Sequence, residues 1–239
     1  MKHLACLVIC LAACKPAESA TTAAASGSVT AVPASAARGA NAAQQGSAPD
    51  SATADAMLSR ADKARIQGSP SAPVWLVEVS DFQCPYCKMW HDSTYEAIRK
   101  EFVATGQVRM AYVNFPISTH VNAVPAATAA MCAAEQDKFW PMHDALFASQ
   151  DQWATLADPA SMLEGLAQKV GLKMPEFRDC VKSGVMQRLI FADRQRGTSS
   201  GVNSTPWFFI GDDVIRGAAG TQEFRVAVQK ALAKAATKK

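Results

Sequence analysis

The sequence lacks a charge imbalance. Its 24 Lys and Arg against 21 Asp and Glu leave a formal net charge of +3, too little to argue for a nucleic-acid partner. Lys230, Lys234, Lys238 and Lys239 close a C-terminal helical pattern. Positive charge there complements the helix dipole and does not make a basic binding tail. The N-terminal apolar run, Leu4 to Ala13, is about ten residues long, too short to cross a bilayer. There is no internal repeat. Between Lys15 and Asp55 there is no aromatic residue, no Leu and no Ile, which excludes a packed core in that stretch. What remains is ample for a core elsewhere: 49% of the 239 residues are hydrophobic and 19% charged.

The first residues read as an export signal. Met1-Lys2-His3 is a short positive region, and Leu4 to Ala13 follows as its apolar partner. The run ends Leu11-Ala12-Ala13-Cys14, which resembles the lipobox of bacterial lipoproteins. That resemblance implies cleavage after residue 13, a lipid on Cys14, and loss of Cys6 and Cys10 with the signal. Lys15 after the lipidated cysteine implies the outer membrane under sorting rules that hold in some bacteria. An ordinary secretory signal cut nearby is the rival reading. Residues 14–56 then form a flexible Ala-, Ser- and Thr-rich tether with an r.m.s. reach of roughly 35 Å. The folded domain is expected over residues 57–239. Four cysteines remain in it, Cys84, Cys87, Cys132 and Cys180, an even number that suits an oxidising compartment.

Along that domain, Ser51 or Thr53 is placed as the cap of a short helix that Gly68 ends. Val74–Ser80 reads as a buried strand. A helix is expected over Pro85 to Thr105, and an alternating strand over Gln107 to Phe115. From residue 121 to about 199 the pattern is helical, broken by Pro and Gly. Trp207–Ile210 and Val214–Arg216 flank a Gly211-Asp212-Asp213 turn, a hairpin signal, and Thr221–Ala236 is the last helix. Between the first strand and its helix stands Phe82-Gln83-Cys84-Pro85-Tyr86-Cys87. Unsatisfied N–H groups and the dipole at a helix start favour a thiolate on the first cysteine. A structural disulfide and half a zinc site are the rivals. Zinc wants two further ligands, and only His91, one turn past Cys87, is in place. Haem attachment needs His after the second cysteine, where Lys88 stands.

This order of elements, with the cysteine motif and Ser204-Thr205-Pro206, resembles the DsbA-like thiol–disulfide oxidoreductases. Val79-Ser80-Asp81-Phe82, Glu135 to Trp140, His143 to Phe147 and Gly201-Val202 support the resemblance, which runs from about Ile66 to Ala235. It implies an α/β, thioredoxin-like fold with an all-helical insertion, about 121–199, between the βαβ and ββα halves. Cys84 is then the nucleophile, Cys87 the resolving thiol, and Glu78 a buried proton acceptor beneath Cys87. Pro206 is expected to be cis, facing the disulfide. Pro85, Tyr86 and Thr205 are expected to line the substrate groove, with Phe82 and Trp207 as its apolar rim. Cys132 and Cys180 are expected to form a second disulfide, closing a loop of about 48 residues and contributing roughly 4 kcal/mol. His120 and His143 are given structural or surface roles. DsbA has His where Tyr86 stands, so Cys84 is expected to be a weaker acid than DsbA's nucleophile and the disulfide less oxidising.

The implied function is an exported, periplasmic, lipid-anchored oxidoreductase that donates its disulfide to folding proteins. Thiol exchange needs no cofactor or metal. Its partners would be reduced or unfolded exported proteins with free thiols, and a membrane redox partner, either a quinone-linked oxidase or a reductase. A reductase or isomerase would share the site. The isomerases carry a separate dimerisation domain where this chain has a tether, which favours a monomer. A lipoprotein that uses the fold only to bind a partner is the non-enzymatic alternative.

Overall fold

The strand Val74–Ser80 is the centre of the fold. A computed structural model describes residues 49–237, so the stretches expected as a signal peptide (1–13) and, up to residue 48, as a tether, together with Cys14, lie outside the described residues. The helix α1 is Ser51–Ala64. It begins earlier than the tether boundary at residue 56 allows. Asp50, not Ser51 or Thr53, is its N-cap, its carboxylate accepting from the Thr53 N–H at 2.9 Å. Ala54 and Ala61 are buried on its inner side, and that packing holds the extra turn.

Next come β1 (Ile66–Gln67), β2 (Val74–Ser80) and a continuous helix α2 over residues 85–103. In α2, α-helical Pro85–Trp90 and Glu96–Ile98 alternate with π-helical His91–Tyr95 and Arg99–Val103. β3 is Val108–Asn114. The helical block consists of α3 (Ala123–Ala134), α4 (Phe139–Ala148), α5 (Gln150–Trp153), α6 (Ala160–Lys169), α7 (Met174–Ser183) and α8 (Met186–Ser199). The chain returns through β4 (Trp207–Ile210) and β5 (Asp213–Arg216) to α9 (Thr221–Ala236).

The sheet order is β1-β3-β2-β4-β5. β2 runs parallel to β3, with Glu78 opposite Tyr112, and antiparallel to β4, with Glu78 opposite Phe208. The β2–α2–β3 crossover and the β4–β5 hairpin with α9 are the two halves, and the helices of residues 123–199 lie between them in the chain. This is the α/β, thioredoxin-like architecture with a helical insertion. The two-residue β1, antiparallel to β3, carries no pattern a sequence reading can detect.

Strand β3 alternates as expected: Val108, Met110, Tyr112 and Asn114 are buried. Leu76, Met110, Phe208 and Ile210 pack with Trp90 of α2 and Phe224 of α9 in one core cluster. A second cluster joins Phe82 and Tyr112 to the insertion through Phe139, Phe147 and Trp153. On the other side α8 lies so close to the chain after β3 that a Cβ at Gly197 would stand 2.8 Å from the Phe115 ring. Asp193 of α8 is fully buried. It is paired with Arg65 and accepts from the Asn114 backbone N–H and Nδ2, each at 3.1 Å, which satisfies a charge that would otherwise be costly there. Within the insertion a disulfide joins Cys132 to Cys180, 48 positions apart. Among the described residues no helix is long and apolar enough to cross a membrane.

Candidate active site

The redox motif sits where β2 ends and α2 begins. Cys84 is the N-cap residue of α2, in extended backbone, and Pro85 takes the first helical position, where no N–H is required. The turn that delivers Cys84 is held by side chains distant in sequence. Asp81 accepts from the Gln83 N–H at 2.7 Å and the Ile117 N–H at 2.9 Å, and meets His120 Nδ1 at 2.7 Å. Gln83 accepts from the Asn122 N–H at 2.6 Å and donates to the Ala154 carbonyl at 2.7 Å. Gln150 donates to the carbonyls of Phe82 and Cys84, at 2.7 and 3.0 Å. The helical insertion thus buttresses the nucleophile's loop. Sequence reasoning missed Asp81, Gln83 and Gln150. Asp81 and Gln83 carry only the local signal of polar residues just after an apolar strand, and Gln150, at the start of a short helix, carries none.

Cys84 keeps 3% of its surface and Cys87 none, so Cys84 is the more exposed thiol by a small margin. Both are unbonded. Cys84 Sγ lies 3.5 Å from the Thr205 carbonyl oxygen, and the Thr205–Pro206 peptide is cis. Once ionised, Cys84 cannot donate to that carbonyl, and its partners must be donors. The Cys87 thiol is the main one and brings Cys84 down to about 6. Burial opposes this, while the Thr205 side chain and the Cys87 and Tyr86 N–H groups assist. Burial together with the Cys84 charge pushes Cys87 far up. The pair is therefore asymmetric, with the accessible sulfur ionised near neutral pH and the deep one protonated. In the reduced protein, iodoacetamide alkylation of Cys84 is expected to rise with a midpoint near pH 6, and Cys87 should stay unreactive past pH 9. Peptide mapping of the two labelled cysteines across pH reads both.

Glu78 is fully buried. Desolvation drives its pKa up to about 8, Ser80 being the chief opposing influence. Its two oxygens, Ser80 Oγ and the Tyr112 hydroxyl have no hydrogen-bond partner among the described residues. Tyr112 is pushed well above its ordinary value by burial, with the charges of Glu78 and Cys87 next. Glu78 and Ser80 of β2 and Tyr112 of β3 thus form a buried polar group in which the Glu78 carboxyl and the Tyr112 hydroxyl are both shifted toward their neutral forms.

The expected apolar rim is corrected. Phe82 is 1% exposed, stacked on Tyr112 at 4.9 Å and close to Phe147 at 5.1 Å. Trp207 is 5% exposed, packed with Val79, Phe115 and Val202 and covered by the Arg216 guanidinium at 4.5 Å. Both rings are drawn inward because core contacts are open to them on either side of the sheet. The exposed apolar surface beside Cys84 is Tyr86, 60% exposed, with Met89 one turn on. Thr205 is buried and presents its backbone to Cys84. His120 anchors Asp81. His143 is wholly buried, and with His91 and Asp144 it forms the one group among the described residues whose ligating atoms are close enough to share a metal ion.

A family profile described as Thioredoxin matches residues 60–230. The Na(+)/H(+) antiporter NhaA 3 of Salinispora tropica is 34% identical over 175 residues, which are 73% of this chain and 26% of the antiporter. This chain therefore spans about a quarter of that relative's length. Disulfide bond formation protein D of Bacillus subtilis is 25% identical over 173 residues, covering 70% of this chain and 76% of that protein. The crystal structure of Wolbachia pipientis alpha-DsbA1 superposes with a TM-score of 0.65 at 24% identity, over 73% of this chain and 93% of that one. At that identity the likeness is one of fold.

Proposed function

The chain belongs to the thioredoxin family, in its DsbA-like group, and from that premise we propose that it is a disulfide donor to other proteins. The observation that carries this reading is the asymmetry of the pair: Cys84 brought down to about 6 and Cys87 pushed far up, beside cis Pro206. A stabilised thiolate favours the reduced pair and so makes the disulfide an oxidant.

A client thiolate attacks Cys84 Sγ of the oxidised pair. The Cys84–Cys87 bond breaks and Cys87 leaves as a thiolate. Cys87 is far too basic to stay ionised, and Glu78, protonated up to about 8, is the buried acid available to it. A second client thiolate then attacks the client sulfur of the mixed disulfide and expels the Cys84 thiolate. The client is oxidised by two electrons and the pair reduced by two. The exposed face of Tyr86 and the backbone at Thr205–Pro206 receive the client strand. A membrane redox partner would reoxidise the pair. Two features support export: the charged-then-apolar segment ending in Cys14, and the Cys132–Cys180 disulfide, a bond that persists in oxidising compartments.

In a Cys87→Ala variant there is no disulfide to donate; the Cys84 thiolate instead attacks client disulfides, expelling the client's other sulfur as a thiolate, and no Cys87 thiol is present to release the mixed disulfide that forms. Expressed with its natural leader, that variant is expected to accumulate many different clients linked through Cys84, seen as a ladder on non-reducing gels that collapses with reductant. A single linked partner, or none, would mark a binding module and contradict the proposal.

A further inference from the structure

The most unusual group outside the exchange chemistry lies on the flank of α2, one turn past Cys87. His91 Nε2 stands 3.4 Å from Asp144 Oδ1, and His143 Nδ1 stands 2.8 Å from the same oxygen. All three ligating atoms lie within 4.8 Å of one another. Two imidazoles from two helices thus converge on one carboxylate.

A hydrogen-bonded string would explain the shorter contact. It explains the longer one poorly, because 3.4 Å is near the outer limit for such a bond. It is, however, close to the roughly 3.3 Å that separates two donors on one tetrahedral ion with bonds of about 2.0–2.1 Å, whereas the 2.8 Å between His143 Nδ1 and Asp144 Oδ1 is shorter and has to open when an ion enters. The surroundings are those of a metal site. His91 Nδ1 meets Asp92 Oδ1 at 3.0 Å, and Lys88 holds the other Asp92 oxygen at 2.8 Å. A carboxylate on the distal nitrogen of a ligating histidine fixes its tautomer and turns the free nitrogen toward the ion. His143 is fully buried and ringed by Phe82, Tyr112, Trp140 and Phe147, which gives one dry wall. The Asp144 side chain is 54% exposed, which opens the other side to solvent.

We propose that His91, His143 and Asp144 bind one divalent transition metal of the zinc, cobalt or nickel kind, with a fourth position left to water. The site uses neither redox cysteine, and two nitrogens with one oxygen suit these ions better than calcium or magnesium. Rotation of the half-exposed Asp144 carboxylate opens its short contact with His143 Nδ1, while His143 is fixed by packing.

Cobalt(II) is the probe. The full chain is used with Cys84–Cys87 oxidised and all other thiols alkylated, so that no sulfur can ligate. One equivalent is expected to give visible bands of four- or five-coordinate cobalt without a sulfur-to-cobalt charge-transfer band. Zinc should displace it, and the melting temperature should rise with metal concentration. His91→Ala should weaken binding at least 100-fold. Asp92→Asn, which touches no metal, should weaken it about tenfold. His91 is on the surface side, so its variant keeps the test valid if His143→Ala does not fold. A cobalt spectrum that stays six-coordinate with no melting shift at millimolar metal, or equal binding by His91→Ala, would overturn the proposal.

Discussion

Replacing Cys84 by serine is expected to stop disulfide exchange. The rate constant with a small disulfide should fall on the order of a thousandfold or more, to the solution background, while the fold is kept. The size of the effect follows from the asymmetry of the pair. Exchange needs a thiolate as the attacking sulfur and a good thiolate leaving group, and Cys84 is the only one of the two that ionises near neutral pH. Serine fills nearly the same volume, keeps the extended N-cap backbone, and is itself a preferred N-cap residue, so α2 has no reason to fray. Its hydroxyl neither ionises near pH 7 nor forms a disulfide, so no other residue can take over. Cys87→Ser is expected to behave differently, still attacking small disulfides through Cys84 but stalling at the mixed disulfide. Stopped-flow exchange with a chromogenic disulfide, beside thermal melts, separates the two variants. A Cys84→Ser protein retaining a tenth of the parent rate would contradict the assignment.

Glu78→Gln carries the second large effect, this time on stability. The Glu78 carboxyl is pushed from 4.5 to about 8 by complete burial. Its folded pKa is thus raised above the unfolded value. The stability linked to its proton is fully present below about pH 4.5 and is lost as pH rises through 8. At 1.36 kcal/mol per unit the whole span is on the order of 4–5 kcal/mol. The oxidised protein is the one to measure, because the disulfide removes the titrations of Cys84 and Cys87 from the comparison. Between pH 5 and pH 9 its unfolding free energy should fall steadily. Glu78→Gln should show none of this contribution, the two proteins diverging toward alkaline pH by roughly 10 °C in Tm for a domain of this size. Glutamine cannot deliver a proton to the departing Cys87, so a step in exchange rate near pH 8, expected in the parent, should be missing in the variant. Parallel stability curves for the two proteins would show that Glu78 is not held protonated.

Much of this site was legible in the chain because its parts are local. A β-branched strand running into Cys84-Pro85-Tyr86-Cys87 and then a helical pattern specifies the strand, the N-cap and the helix together, since each is a short-range signal. The hairpin turn at Gly211-Asp212 and the position of the last helix are short-range too. What was missed depends on contacts far apart in sequence. Phe82 and Trp207 are apolar wherever they lie, and only the packing of Tyr112 and Phe147 on one, and of Val79 and Phe115 on the other, decides that they face inward. Gln150 meets the Cys84 loop across 66 positions, and His91 meets Asp144 across 53. No local window contains either pair. The start of α1 was misplaced for a smaller reason. Asp50 ends a polar, small-residue stretch, and its capping bond to Thr53 cannot be told in sequence from other Ser and Thr candidates beside it.

The proposed donation of disulfides by Cys84–Cys87 has a strength set by a thiolate at about 6 and by a tyrosine, not a histidine, between the cysteines. The direct measurement is the reduction potential of the pair, by equilibration with glutathione redox buffers and mass determination of the oxidised and reduced forms. The predicted value lies between the roughly −200 to −230 mV of glutaredoxins and the roughly −120 mV of DsbA, whose nucleophile ionises near 3.5. A potential at or below about −270 mV, the thioredoxin value, would make the pair a reductant and contradict the account.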